Sequence, residues 1–235
     1  MYTRSAVYYD SIYSYKNYEK EANTLERLIR KYKRSHGNTL LDVGCGTGGH
    51  VTFLRRHYRV QGLDLNPEML RIAREKNPGI RFYHGDMVDF NLKRKFDVIV
   101  SLFSAIGHVK TLSRLRRSVR TTANHLQPGG VLIIEPWFTP DAFRPGSVHS
   151  LFVNRPELKI ARMNISNVKG RLSIMDMHHL IGTPEGIRYF IERLELGLFT
   201  KTEYRTAIRD SGLKPFYDSK GLIGRGLYLG TKPIG

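Results

Sequence analysis

The stretch LLDVGCGTGGH at residues 40–50 decides the fold of this 235-residue chain. An apolar run typical of a buried β-strand ends there at the carboxylate of Asp42, and glycines follow at every second position. Such glycines let a backbone pass close to a ligand, because no Cβ blocks the approach. We therefore expect a strand, then a ligand-binding loop that contains Gly44, Cys45, Gly46 and Gly48.

Two more acids end the next two predicted strands. Asp64 lies twenty residues after Gly44, at the end of the run 58–63, and Asp86 follows the run 80–84. An acid at the first of these positions accepts hydrogen bonds from the ribose hydroxyls of a nucleotide-like cofactor. A carboxylate at the second can accept a hydrogen bond from an adenine amino group. The three strand ends together predict a site for an adenosine-containing cofactor.

Two such cofactors compete for this site. Gly44, Gly46 and Gly49 also satisfy the pattern G-x-G-x-x-G, so a dinucleotide must be considered. A carboxylate at Asp42, however, would repel a phosphate at the mouth of the loop. S-adenosylmethionine carries an ammonium and a sulfonium instead of phosphate, and an acid beside it is favourable. The residues therefore favour S-adenosylmethionine, and no metal is required or indicated by a Cys/His cluster.

Composition sets broader limits. The chain is 40% hydrophobic and 25% charged, which is ordinary for a globular protein, and its single cysteine excludes an internal disulfide. No apolar run approaches membrane length or resembles a secretion signal, so we expect no membrane association and a cytoplasmic location. The net charge of +17 suits a polyanionic partner, an acidic small substrate or simply a solvated surface.

The order of the predicted elements indicates one α/β domain with an insertion. Residues 1–37 form an arm and a helix over 17–36, residues 38–136 form the cofactor-binding core, residues 137–198 form an antiparallel insertion or lid, and residues 199–235 form a helix and a hairpin. The core strands are predicted at 39–43, 59–63, 80–84, 97–102 and 131–135, and its helices at 48–57, 67–76 and 111–126. Alternating strands and helices predict a parallel sheet covered on both faces.

The chain resembles the class I S-adenosylmethionine-dependent methyltransferases, and more narrowly the sugar-nucleotide N,N-dimethyltransferases that finish amino sugars such as desosamine and mycaminose. The motifs that carry the resemblance are Tyr9-Asp10 with Tyr13, Leu41-Asp42-Val43, Gly85-Asp86-Met87, Glu135-Pro136-Trp137 and Gly224-Arg225-Gly226-Leu227. The resemblance implies a Rossmann-like seven-stranded sheet and N-methylation of a small amine, such as a nucleotide-linked amino sugar. A homodimer is the assembly considered, although the sequence does not fix it.

Several side chains are candidates for the chemistry. His108, after the strand 97–102, is the candidate base, with a loop histidine bonded to backbone as the alternative. Tyr9 and Tyr13 are expected to fold over the cofactor or to pack the arm. The remaining expected cofactor contacts are Leu65, Met69, Met87 and Ser101, in addition to the loop and the three acids. For the acceptor we expect Trp137, Arg225 and Arg144. The arginine fork of Arg225 suits a pyrophosphate or the carboxylate of the cofactor.

An RNA or protein methyltransferase is the alternative function, favoured by charge alone. Base-directed amino methyltransferases often carry Asn/Asp-Pro-Pro-Tyr after the fourth strand, whereas residues 101–104 here read Ser-Leu-Phe-Ser. A cofactor binder without activity and an oxidoreductase are the remaining alternatives. Calorimetry with S-adenosylmethionine and NAD separates them.

Overall fold

A computed structural model describes residues 4–234 and contains two β-sheets. The larger sheet has seven strands in the order β10-β11-β5-β4-β1-β2-β3. Its strands are β1 (Thr39–Val43), β2 (Arg59–Asp64), β3 (Arg81–His84), β4 (Phe96–Ser101), β5 (Leu126–Ile134), β10 (Lys214–Asp218) and β11 (Leu227–Thr231). All neighbours pair in parallel except β11, which is antiparallel to both β5 and β10. The predicted seven-stranded Rossmann-like sheet is confirmed.

Six α-helices accompany the described strands. They are α1 (Tyr9–Ile12), α2 (Tyr18–Tyr32), α3 (Gly49–Leu54), α4 (Pro67–Lys76), α5 (Leu112–Asn124) and α6 (Lys201–Asp210). Short 3₁₀ helices cover Ala6–Tyr8 and Ala105–Val109. The start of α4 follows from its sequence, since the Asn66 side chain accepts the backbone N–H groups of Glu68 and Met69. None of the helices in residues 4–234 has both the length and the apolar character needed to cross a bilayer.

The sheet is buried on both faces by two apolar layers. One face packs Ile99 and Leu132 beneath α5 and α6, and the other packs Leu40, Val98 and Ile133 beneath α2, α3 and α4. Strand order reverses between β1 and β4, which lie side by side and parallel. In open α/β sheets ligands bind at the carboxyl ends of the strands near such a reversal.

The smaller sheet is the antiparallel insertion that the sequence predicts. It consists of β6 (Val148–Arg155), β7 (Leu158–Lys169), β8 (Leu172–Thr183) and β9 (Gly186–Gly197), paired in chain order. One face of this sheet borders the cavity described below, and its lining residues come from part of each strand: 149–151 of β6, Arg162, Asn164 and Ser166 of β7, Met175 and Met177 of β8, and Leu194 and Leu196 of β9.

Three predicted boundaries were wrong by three or more residues. Helix α3 ends at Leu54 instead of residue 57. Helix α2 ends at Tyr32 instead of residue 36, because Lys33 is extended and Arg34 donates its backbone N–H to Gly129. Strand β5 begins at Leu126 instead of residue 131, because residues 127–130 form a bulge within the strand. The register jumps there, from Phe96 opposite Leu126 to Val98 opposite Val131.

Candidate active site

A cavity of about 1110 Å³ opens at the carboxyl ends of β1, β2, β3 and β4. The N-terminal arm (residues 4–16) and the insertion sheet complete its walls. Fourteen of the residues predicted from the sequence line it: Tyr9, Tyr13, Asp42, Gly44, Cys45, Gly46, Asp64, Leu65, Met69, Asp86, Met87, His108, Trp137 and Arg225. The cavity therefore brings most of the predicted donor and acceptor residues to one place.

The glycine loop is held open by its own backbone geometry. Gly46 has φ +53°, and a Cβ placed there would have no atom within 4 Å, so the loop presents bare backbone to the cavity. The backbone N–H groups of Gly44 and Cys45 both donate to Leu63 O, and that of Gly46 donates to Asp64 Oδ2 at 2.8 Å. These bonds fix the loop against the end of β2.

Asp42 is the deepest acid of the site. It is only 2% exposed, and its Oδ1 has no hydrogen-bond partner among the described residues. Burial, with a smaller contribution from Asp64, raises the pKa of Asp42 to about 6. A buried acceptor without a partner costs free energy until a donor arrives. The ammonium of S-adenosylmethionine is such a donor, and it fits this position.

Asp64 is anchored by backbone N–H groups on both oxygens. Its Oδ1 accepts from Asn66 at 2.8 Å and its Oδ2 accepts from Gly46 at 2.8 Å. Burial raises the pKa of Asp64, although these bonds oppose the shift. Each carboxylate oxygen offers two acceptor sites. The acid therefore keeps acceptor capacity for ligand hydroxyls while its orientation stays fixed.

Asp86 is held at the end of β3 by one backbone group and one cation. Its Oδ1 accepts the backbone N–H of Val88 at 2.9 Å, and its Oδ2 lies 2.8 Å from the Arg114 guanidinium. Arg114 belongs to α5 and also lines the cavity.

The N-terminal arm bridges the two sides of the cavity. At its start Ser5 donates its backbone N–H and its hydroxyl to Glu192 of β9. Farther along, Asp10 Oδ1 accepts the hydroxyl of Thr47 in the glycine loop at 2.7 Å. Tyr13 packs edge-on against Phe103, with ring centroids 5.1 Å apart. The arm thus connects the glycine loop to the insertion sheet.

His108 lies in the 3₁₀ helix that follows β4 and is half-buried. Burial lowers the pKa of His108 to about 4, and the nearby Lys110 acts in the same direction. The candidate base is therefore a weak one, and its role in the reaction stays a prediction. With this pKa the imidazole is neutral at physiological pH, and one of its ring nitrogens is available to accept a hydrogen bond.

The acceptor side of the cavity contains a desolvated cation. The Arg225 guanidinium lies 5.2 Å from the ring centroid of Trp137 and 5.4 Å from that of Phe138. Its Nε is buried without a hydrogen-bond partner among residues 4–234. Trp137 is fixed in turn, because its Nε1 donates to Ser173 Oγ at 2.9 Å. Partial burial lowers the pKa of Arg225, and the negative charge of Glu135 opposes this shift.

The insertion sheet contributes wall residues that the sequence analysis did not select. Arg162 donates from Nη1 to the Tyr13 hydroxyl at 3.0 Å, and no carboxylate in the described chain lies within ion-pair distance of it. Asn164 is 7% exposed, and its Nδ2 has no partner there either. Met175 and Met177 line the wall from β8. The period-two alternation of β7 was the available signal, since it places Arg162 and Asn164 on one face.

Three predicted residues are not at the cavity. Gly48 instead precedes α3 with φ +73°, where a Cβ would lie 2.8 Å from Asn77 Nδ2. Ser101 faces the opposite side of the sheet, in a small void beneath α5 with Val119 and Ile134. Arg144 is exposed and donates to the backbone carbonyl of Asp141. Alternation along β4 explains Ser101, because it faces the same side as Ile99.

Comparison with known proteins agrees with this geometry. The family model described as "Methyltransferase domain" matches residues 40–130, which contain the glycine loop and the three acids. The fold and the site define an S-adenosylmethionine-dependent methyltransferase.

Similarity to individual proteins extends over almost the whole chain. The chain is 37% identical over 218 residues to the dTDP-3-amino-3,4,6-trideoxy-alpha-D-glucopyranose N,N-dimethyltransferase of Streptomyces venezuelae, with 92% of each chain covered. It is 38% identical to the dTDP-4-amino-2,3,4,6-tetradeoxy-D-glucose N,N-dimethyltransferase of Saccharopolyspora spinosa, covering 95% of this chain and 91% of that one. The S-adenosylmethionine-bound structure of CalS10, an amino pentose methyltransferase from Micromonospora echinaspora, superposes with a TM-score of 0.86 at 36% identity, covering 99% and 98%. The chain belongs to this family of methyltransferases.

Proposed function

We propose that this enzyme methylates the amino group of a sugar linked to a nucleoside diphosphate. The observation that carries the proposal is the partly buried Arg225 cation in the acceptor half of the cavity: its Nε has no hydrogen-bond partner among the described residues, and Glu135, the carboxylate that acts on it most, forms no ion pair with it. A buried cation needs a counter-charge, and a diphosphate supplies one. The names of the related dimethyltransferases, which act on dTDP-amino sugars, support the same substrate class.

The donor half matches the parts of S-adenosylmethionine, which when bound supplies an electrophilic methyl group on sulfur. Asp42 offers its free Oδ1 to the ammonium, and Asp64 offers its oxygens to the ribose hydroxyls. Asp86 accepts from the adenine amino group. Leu65, Met69, Cys45 and Met87 provide the apolar contacts, and Gly44 and Gly46 give the backbone clearance.

The acceptor half has two cations that can share the charge of a diphosphate. Arg225 projects from the loop between β10 and β11, and Arg162 projects from β7 of the insertion sheet. Tyr13 lies beside Arg162 and receives its hydrogen bond. A guanidinium binds phosphate oxygens through parallel N–H groups, so the two side chains can fix the nucleotide end of the acceptor.

Methyl transfer needs little more than alignment and the exclusion of water. The arm and the insertion sheet cover the site, and the aromatic ring of Trp137 adds an apolar wall. His108 can accept a hydrogen bond from the amine and direct the nitrogen lone pair towards the donor. Because its pKa is about 4, His108 orients the amine, and the proton passes to solvent.

An acceptor screen tests the proposal. Purified enzyme is incubated with S-adenosylmethionine and with dTDP-amino sugars, the corresponding free amino sugars, dTDP alone, tRNA or a basic peptide, and mass spectrometry counts the methyl groups added. We expect methylation of the dTDP-amino sugars and a KM at least tenfold higher for the free sugars, because they lack the diphosphate. Methylation of RNA or peptide with none of the sugars would refute the proposal.

A second copy of this chain is the proposed protein partner. The outer face of the insertion sheet exposes Phe152, Met163, Ile165, Leu180, Tyr189 and Ile191, and its central ion pair, Asp176 with Arg193, is neutral overall. Four strands of this length span roughly 700–800 Å², which is about the area that each partner contributes to a standard interface.

Sedimentation tests this assembly. The wild type should be a dimer, and the double variant Phe152→Asp/Ile191→Asp should be a monomer. A wild-type monomer at micromolar concentration would contradict this assembly.

A further inference from the structure

Arg114 is a cavity-lining cation that pairs with Asp86, the acid proposed to bind adenine. It projects from the first turn of α5, and its Nη2 lies 2.8 Å from Asp86 Oδ2. The other oxygen of Asp86 already accepts the Val88 backbone N–H at 2.9 Å. Both Arg114 and Asp86 line the cavity. The carboxylate is therefore held from two sides, and its remaining lone pairs point in fixed directions.

We infer that Arg114 is a positioning residue for nucleobase recognition. It fixes the carboxylate of Asp86 in the orientation that accepts the exocyclic amino group of adenine, and its guanidinium covers the outer edge of that pocket. A carboxylate without this second contact rotates about its Cβ–Cγ bond and presents its lone pairs less often to the base. The inference rests on the proposed function, since it takes Asp86 as the adenine acceptor.

The same helix and loop contain a matched control. Arg117 pairs with Asp89 through its Nη2, one turn farther along α5 and three residues farther along the loop. Neither Arg117 nor Asp89 lines the cavity. The two ion pairs thus connect the same helix to the same loop, and of the two only the pair of Arg114 with Asp86 lines the cavity. Any effect of lost helix anchoring appears in both variants, whereas an effect on base recognition appears in one.

The test measures binding of S-adenosylhomocysteine and of its hypoxanthine analogue, S-inosylhomocysteine, by calorimetry. For Arg114→Ala we expect the Kd for the adenine ligand to rise about fivefold, in line with a partly exposed ion pair, and the preference for adenine over hypoxanthine to shrink. Arg114→Lys should recover part of the affinity, because an ammonium can still pair with Asp86. Arg117→Ala should bind both ligands like the wild type.

The outcomes separate this inference from the proposed function. Unchanged affinity and unchanged base preference in Arg114→Ala would overturn the role of Arg114 if Asp86→Ala still weakens binding. Wild-type enzyme that binds neither ligand would overturn the proposed function itself. Equal losses in Arg114→Ala and Arg117→Ala, with base preference retained, would assign both arginines to helix anchoring. Thermal unfolding of each variant confirms that the compared proteins are folded.

Discussion

The two halves of the cavity hold their polar groups in different ways. In the donor half, the oxygens of Asp64 and Asp86 are bonded by backbone N–H groups at strand ends, so their positions follow from the path of the sheet. In the acceptor half, Arg225 Nε and Asn164 Nδ2 are buried and have no partner within the described chain. Unpaired buried groups cost stability but discriminate strongly among ligands. In the donor half, the fold therefore fixes Asp64 and Asp86 and leaves Asp42 Oδ1 for a ligand donor, whereas in the acceptor half both a guanidinium nitrogen and an amide nitrogen lack a partner among the described residues.

The largest expected effect comes from the donor half. Asp64→Ala removes two hydrogen bonds to a charged acceptor, each worth ~1.5–3 kcal/mol, so the Kd for S-adenosylhomocysteine should rise at least about 100-fold. Calorimetry measures this change. Asp89→Ala is the control, because Asp89 is an exposed loop carboxylate outside the cavity. An unaltered Kd in Asp64→Ala would show that the acid does not contact the ribose.

Arg225→Met should produce the largest effect in the acceptor half. The variant keeps an apolar stem over Trp137 but loses the cation, so we expect the KM for the nucleotide-linked amine to rise about 30-fold, a change of about 2 kcal/mol. The affinity for S-adenosylhomocysteine should stay within about twofold. Arg188→Met, at an exposed position of β9, serves as the control. If the acceptor KM of Arg225→Met equals that of the wild type, the diphosphate binds elsewhere.

Cofactor affinity should depend on pH through Asp42. The pKa of this acid is raised to about 6 in the free enzyme, and only its ionised form pairs with an ammonium. As the pH falls from 7 to 5 the ionised fraction drops to about one tenth, so the Kd for S-adenosylhomocysteine should rise about tenfold. Titration calorimetry across this range checks the slope. In Asp42→Asn the Kd should be higher at pH 7 and nearly independent of pH, and an unchanged slope would exclude Asp42 as its source.

His108→Ala should slow catalysis modestly and spare the donor half. An imidazole with a pKa near 4 contributes one hydrogen bond that orients the amine, so kcat should fall about fivefold while the Kd for S-adenosylhomocysteine is unchanged. Between pH 6 and 8, the pH dependence of the steady-state rate should have the same shape in the wild type and in His108→Ala. The control His57→Ala changes an exposed histidine after α3. A loss of several hundredfold in kcat would instead make His108 an obligatory base.

The smallest expected effect is at Asn164, where a substitution should raise the stability of the protein and weaken its affinity for the acceptor. Asn164→Leu removes a buried amide whose donor is unpaired, so the free energy of unfolding should rise by about 1 kcal/mol, while the KM for the acceptor rises about threefold. Denaturant unfolding and steady-state kinetics measure the two quantities. Ser166→Ala is the control, because Ser166 lies two residues farther along β7 and is not among the buried side chains without a partner. A destabilised Asn164→Leu protein would mean that the amide already has a partner in solution.

The same contrast explains how much the sequence could predict. The strands β1 to β4 and the acids at their ends follow local patterns, namely an apolar run, a glycine loop and a carboxylate at a fixed spacing, so their meeting at one sheet edge could be predicted. Arg162 and Asn164 reach the cavity only because the insertion sheet folds over the core, and no local pattern fixes that docking. Ser101 was selected by its position after a strand, although alternation sends its side chain to the other face. The pKa of His108 depends on burial by distant segments and could not be predicted from its loop.

The arm has a consequence for turnover. The arm, residues 4–16, is hydrogen-bonded to Glu192 of the insertion sheet through Ser5 and to Thr47 of the glycine loop through Asp10. It therefore contacts both the acceptor side and the donor side of the cavity. If the spent nucleoside leaves past the arm, these hydrogen bonds break, and the wall beside the acceptor loosens in the same event. Peptides fused to the amino terminus should therefore alter the dissociation rates of both products together, even where they leave the methylation step itself untouched.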